Sequence, residues 1–332
     1  MDDLRVGLVG AGWAAGEHAT SLETIDGAVV VGVTDRDGAR SAALGARAGA
    51  PVFGSWSELI ERATPDALVI ATPPGARVEP AVAALEAGIG VFLEKPVART
   101  LDEAMAIVRA QERSGSVCAV GYQWRAAAAV DALREAVSRS QVALLISAGV
   151  GITQARSWFA DPRQSGGIVS ERGSHHIDLQ RAIAGDVARV RALRGSVPLS
   201  GVPPMGDLLL EDVVSLSLEF VSGAVGAVHV AWTPEDHASF HRLSVVSNDG
   251  AYELELDPWF SLRGSRAGAP VDASSPEPPF VAGLARFCRA VREYAPDEVA
   301  CSALDAAGSL ATALACERAL ATGDPVAVES LS

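Results

Sequence analysis

The apolar positions of this chain fall into two regimes. Over roughly the first 120 residues, short unbroken apolar runs alternate with stretches whose apolar residues recur at helical spacing. The runs at Leu4–Val9, 28–33, 66–71, 89–93 and 117–120 lack polar alternation and favour β-branched residues, as strands covered on both faces of a parallel sheet do. Val52-Phe53 reads as one more short strand. Helices are predicted over 14–25, 37–48, a segment capped by Ser55, 77–87 ending at Gly88, and 101–113 capped by Thr100. Ser55 has Glu58 three residues on, as in a capping box, and Asp102 and Glu103 sit where the dipole of their helix favours acids. This alternation predicts a doubly wound α/β unit.

Past residue 121 the pattern changes. After a helix at 126–137 come strand-like segments at 142–152, 187–197, 212–220, 224–232, 243–246 and 251–256. Gly223 and Asn248-Asp249-Gly250 supply hairpin turns, and one helix, 168–184, is closed by Gly185. Such clustering predicts a large, mostly antiparallel open sheet with helix on one face. Residues 261–279, rich in Gly, Ser and Pro, read as a long loop, and helices at 280–294 and 302–322 close the chain. The predicted boundary divides an α/β domain, 1–121, from an α+β domain, 122–332, whose last helices can pack back on the first.

A chain of 332 residues suits two domains, and 49% apolar content is that of an ordinary globular protein. The net charge of −14 argues against nucleic acid as a partner. Cys118, Cys288, Cys301 and Cys316 are far apart and form no C-x-x-C, so reduced thiols of a cytoplasmic protein are expected, with no disulfide framework and no metal site. The first strand begins almost at once, so no signal peptide is expected, and no apolar run reaches the ~18 residues of a membrane span.

Candidate chemistry begins where the first strand ends. Gly10-Ala11-Gly12-Trp13-Ala14-Ala15 fits the G-x-G-x-x-G/A dinucleotide fingerprint and precedes a helix. Gly10 allows the tight turn, Gly12 the approach of a pyrophosphate to the helix N-terminus, and Ala15 close packing of helix on strand. The second strand ends in Asp35-Arg36, near the spacing expected of a ribose-binding acid. Asp35 favours NAD by accepting from the 2′-hydroxyl, while Arg36 could accommodate the 2′-phosphate of NADP. Lys95 follows a buried strand and precedes Pro96. Desolvated in a cofactor crevice it could handle a proton, and on the surface it would simply pair with Glu94. Glu171 and His175 are four apart on one predicted helical face, to which Asp178 adds. An acid beside a histidine suits acid–base work, and metal binding or a structural hydrogen bond are the other readings of this segment.

These motifs in order, with Ala71-Thr72-Pro73-Pro74, Glu94-Lys95-Pro96 and Gly121-Tyr122-Gln123-Trp124-Arg125, resemble the Gfo/Idh/MocA oxidoreductases, the family of glucose–fructose oxidoreductase and inositol dehydrogenase. The resemblance spans nearly the whole chain. It implies a Rossmann domain, an open sheet that carries substrate residues on one face and often an oligomer interface on the other, and NAD(P)-dependent redox chemistry. The reacting group would be a secondary alcohol or ketone of a sugar, aminosugar, nucleotide sugar or cyclitol. Carried over, Lys95 is the motif lysine, His175 the catalytic histidine, and Glu171 stands where an aspartate is usual. Cofactor residues are Gly10, Ala11, Gly12, Trp13, Ala14, Asp35, Arg36, Thr72, Pro73, Arg77, Glu94, Lys95 and Gln123. Substrate would meet Lys95, Arg125, Trp158, Asp161, Glu171 and His175, with no metal. Arg172 and Arg77 depart from the family pattern, Arg77 standing where a histidine often follows T-P-P. His18, His229, His237 and His241 are expected to be structural. The expected assembly is a homodimer or homotetramer. A non-catalytic nucleotide-binding regulator on the same fold is the alternative.

Overall fold

The computed structural model describes residues 3–152, 167–195, 213–233, 239–256 and 260–331. Two compact units result: residues 1–126 with 277–307, and residues 127–276 with 308–332.

In the first unit, strands β1 (Leu4–Val9), β2 (Ala28–Thr34), β3 (Ala67–Ile70), β4 (Gly90–Leu93) and β5 (Cys118–Val120) form a parallel sheet in the order β2-β1-β3-β4-β5. Helices α1 (Trp13–Glu23), α2 (Gly38–Ala48), α3 (Trp56–Ala63), α4 (Val78–Glu86) and α5 (Leu101–Ser114) connect them. The order turns back at β1, with β2 on one side and β3 on the other, so a crevice opens outside the carboxyl ends of β1 and β3. Val6, Leu8, Leu68, Ile70, Val91 and Leu93 are fully buried, as their unbroken apolar runs require. The strand expected at Val52-Phe53 is instead an isolated bridge from Val52 to Val33. The chain there makes a bond on either side of Val33, to Pro51 and Phe53, and at once enters the Ser55 cap of α3. Later in the chain, α8 (Pro279–Glu293) places Leu284, Phe287 and Cys288 in this unit's core beside Leu4, Leu22 and Phe92.

The second unit holds α6 (Ala128–Val137), β6 (Val142–Ile152), α7 (Ser174–Ala184), β7 (Val187–Arg194), β8 (Val213–Phe220), β9 (Val225–Thr233), β10 (Phe240–Ser247), β11 (Gly250–Leu256), β12 (Ser261–Arg266), β13 (Ala269–Ser274) and β14 (Val326–Ala327). The helix α9 (Ala303–Thr322) spans the division between the units. Among the described residues the sheet runs β13-β12-β11-β10-β6-β9-β8-β7-β14, antiparallel throughout except for β6 beside β9. Alternation sends Leu145, Leu216, Val228, Val230, Leu243, Val245 and Leu254 to a buried inner face. The loop expected over 261–279 is in fact largely the β12–β13 hairpin. Ala267 and Gly268, at φ +47° and +82°, form the turn, as a two-residue hairpin link requires. Its composition hid it, because only Leu262 of β12 is buried and the remaining positions face outward or sit half-covered.

Candidate active site

In the first unit the fingerprint forms a turn held by backbone and carboxylate. Gly10 has φ +105°, and a Cβ there would lie 2.7 Å from the Ala71 carbonyl oxygen, so a side chain is excluded twice over. The Gly10 N–H donates to the Thr34 carbonyl at 2.8 Å. The Ala11 N–H donates to Asp35 Oδ2 at 2.6 Å, and Asp35 Oδ1 accepts from the Asp37 N–H at 2.8 Å. Asp35 therefore ties the fingerprint to the end of β2, and each oxygen keeps a lone pair for a further donor. Gly12 is the N-cap of α1. Among the described residues no side chain caps that helix, no acid occupies its first turn, and a Cβ on Gly12 would meet nothing within 4 Å. Open space at a helix N-terminus with uncapped N–H groups fits a pyrophosphate. Trp13 is 56% exposed and 6.4 Å from the Phe280 ring, while Ala14 and Thr72 are half-buried and Arg36 and Pro73 exposed.

At the end of β4, Glu94 and Lys95 are both half-buried, and the Lys95–Pro96 peptide is cis. Glu94 Oε1 lies 2.8 Å from His18 Nε2, and Oε2 accepts from the Lys95 N–H at 3.2 Å. Burial works against the charge on Glu94, but the hydrogen bond with His18 and the nearby charges of Arg77 and Lys95 hold its carboxyl below the ordinary value. Arg77 is 3% exposed and donates to the carbonyls of Thr72, Glu94 and Pro96. It thus clamps together the loops after β3 and β4. Gln123 is half-buried in a short 3₁₀ turn, Gln123–Ala126. Arg125, 4% exposed, pairs with Asp305 at 3.4 Å.

Glu171 and His175 belong to the second unit, where one π turn, Val169–Gly173, runs into α7. Both are half-buried. The helix predicted over 168–184 is thus real but wider at its start, and π turns of this kind recur at functional sites. Asp178 is 1% exposed and accepts from Ser309 Oγ at 2.7 Å. Behind the π turn, His176 Nε2 lies 3.2 Å from His241 Nδ1, and His241 Nε2 lies 2.9 Å from Arg172 Nη1. The Arg172 guanidinium stacks 4.5 Å above the Trp232 ring. Burial and the Arg172 charge push His241 down to about 3, and burial with both neighbours holds His176 well below its ordinary value. Trp158 and Asp161 lie outside the described residues. Sequence reasoning missed the Arg77 clamp and the histidine–arginine layer, and it read His18 only as structural. Nothing local marks any of them, since each is recognisable only from partners distant in the chain.

Residues 4–122 match the family described as "Oxidoreductase family, NAD-binding Rossmann fold", and residues 139–253 match "GFO/IDH/MocA C-terminal domain". The chain belongs to the Gfo/Idh/MocA oxidoreductases. Among its Gfo/Idh/MocA relatives, the 1,5-anhydro-D-fructose reductase of Ensifer adhaerens is 27% identical over 98% of this chain and 99% of that protein. The levoglucosan dehydrogenase of Pseudarthrobacter phenanthrenivorans is 25% identical over 86% of this chain and 83% of its own. A levoglucosan dehydrogenase structure in complex with NADH shares the fold, with a TM-score of 0.86 at 20% identity over 99% of this chain and 100% of that one.

Proposed function

We propose that this Gfo/Idh/MocA protein is an NAD-dependent dehydrogenase of a secondary alcohol on a sugar, aminosugar, nucleotide sugar or cyclitol. The observation that carries the reading is the fingerprint turn, with Gly10 packed against Ala71 and the uncapped α1 N-terminus open to a pyrophosphate. Gly10, Ala11, Gly12, Trp13 and Ala14 would cradle the dinucleotide, and Asp35 would accept from the adenosine 2′-hydroxyl. Arg36, exposed beside it, leaves NADP as a second cofactor. Thr72, Pro73, Arg77, Glu94 and Gln123 complete the cofactor side of the crevice, Arg77 by fixing its loops. When bound, the nicotinamide supplies the hydride chemistry.

The chain's own residues bind, orient and move the proton. Lys95 and His175 act on the substrate hydroxyl, one of them taking its proton, and Glu171 orients the imidazole and stabilises its charge. Arg125, Trp158 and Asp161 lie on segments that complete the sugar site. Named relatives that reduce 1,5-anhydro-D-fructose or oxidise levoglucosan support a sugar-like substrate. The protein works as a homodimer or homotetramer in the cytoplasm. The four cysteines are buried thiols outside any disulfide among the described residues, which suits a reducing compartment. No helix among the described residues is long and apolar enough to cross a membrane. Screening reduction of NAD and NADP against a panel of sugars, aminosugars, nucleotide sugars and cyclitols tests the reading. Turnover with at least one member is expected, whereas dinucleotide binding without any turnover would return the chain to a regulatory role.

A further inference from the structure

We propose that His18 and Glu94 are a positioning pair that fastens the main chain of Lys95 to the fingerprint helix. The inference rests on the redox reading above and adds two residues to its machinery. Each Glu94 oxygen has its own partner. Oε1 meets His18 Nε2 at 2.8 Å, and Oε2 accepts the Lys95 main-chain N–H at 3.2 Å. His18 belongs to α1, the helix whose N-terminus would face the phosphates, so one carboxylate, 76 residues from the histidine along the chain, links that helix to the motif lysine.

The histidine is locked in place. It is 1% exposed, its ring is stacked on Phe280 at 4.4 Å and 24°, and the Phe92 ring centroid lies 5.1 Å away in a T-shaped pair. Its Nδ1 is buried and has no hydrogen-bond partner among the described residues. The tautomer with hydrogen on Nε2 therefore fits the network. It donates to the carboxylate and leaves a bare lone pair at Nδ1, where a buried N–H would cost more. Glu94 is held as a carboxylate, and in this water-poor setting its two hydrogen bonds are stronger than they would be at the surface. A residue that only filled space beside Phe280 would not need to aim a nitrogen at a carboxylate touching the lysine backbone.

The test compares His18→Leu, His18→Gln and Glu94→Gln with wild type. Steady-state kinetics, NAD titration by fluorescence and hydrogen exchange of the Lys95 amide are measured on each. A displacement of about 1 Å can cost ~10²-fold in rate, so His18→Leu should lower kcat by at least ~10-fold. Its sugar KM and NAD Kd should stay within about 3-fold, since the fingerprint turn is untouched. The Lys95 amide should exchange at least ~10-fold faster once its acceptor is loosened. His18→Gln, which keeps a donor at similar reach, should recover most of the turnover and the protection. If His18→Leu fails to fold, Glu94→Gln preserves the volume and should still speed Lys95 exchange and lower kcat. Full turnover with unaltered Lys95 exchange in a folded variant overturns the proposal, as does equal loss in His18→Gln and His18→Leu. If wild type reduces neither dinucleotide with any substrate, the redox reading fails, and Lys95 exchange still decides whether the pair holds the lysine.

Discussion

At the scale of single residues, Asp35 has two jobs that pull its substitution in one direction. It would meet the ribose, and it already bonds the Ala11 and Asp37 amides at 2.6 and 2.8 Å. Asp35→Ser should therefore weaken NAD by about tenfold or more, ~1.4 kcal/mol, and narrow the preference over NADP. Titration of both dinucleotides checks this, and a wild type preferring NADP tenfold would remove the assignment. The proton-handling residues predict a different signature. Lys95→Ala and His175→Ala should each lower kcat by ~10²–10⁴-fold while NAD affinity changes little. Glu171→Gln keeps a hydrogen-bonding side chain without the charge and should lose less. A His175→Ala enzyme with undiminished turnover would leave the π turn a structural feature.

Among the elements, the contact of α7 and the π turn with the sheet is a polar layer, built where β6 carries glycine. A Cβ at Gly149 would sit 2.7 Å from His241 Nδ1 and closer still to His176 Nε2, and one at Gly151 would collide with the Arg172 guanidinium. Arg172 ends a flexible chain and can move, but the buried imidazoles cannot. Gly149→Ala should then destabilise by about 1–3 kcal/mol, read from a urea midpoint, and Gly151→Ala by less. The same layer makes stability sensitive to acid. His241 titrates near 6.5 when unfolded and about 3 in the fold, so between those values only the unfolded chain binds the proton. Stability contributed by this group is complete above the unfolded value and falls as pH drops towards the folded one, by up to about 1.4 kcal/mol per pH unit. His241→Gln should flatten the loss of stability between about pH 6 and pH 4 relative to wild type, as urea melts at stepped pH would show.

For the molecule as a whole, the outer face of the second unit's sheet is the decisive surface. Ile146 is 41% exposed, Val225 51%, Phe240 42% and Val246 40%, with Leu144, Ala148, Val150, Ala227 and Ala231 half-buried between them. Register places Ile146 beside Ala227 and Val150 beside both Ala231 and Phe240, with His229, Arg242 and Ser244 interleaved on the same face, so much of this surface, though not all of it, is apolar. A second copy of the chain would remove it from water. Light scattering at micromolar concentration should report at least twice the 34.2 kDa of one chain, and a single species of that mass would refute the assembly.

Some of this was legible in the chain itself because the cause is local. The buried strands, the Thr100 cap with its full capping box, the glycine turn and the Glu-Lys-Pro segment each follow from residues within a few positions of one another. The same holds for the alternating strands of the second unit. Other features needed the fold. Parallel pairing of β6 with β9 and the short-stranded β12–β13 hairpin carry no local signal. Arg77 was expected to face the cofactor, yet its donors are aimed at three carbonyls 5, 17 and 19 residues away. His18 looked like packing until β4 brought Glu94 against it. A side chain's hydrogen-bond partners are set by which elements meet, and a buried charge or imidazole reveals its role only when its surroundings are known.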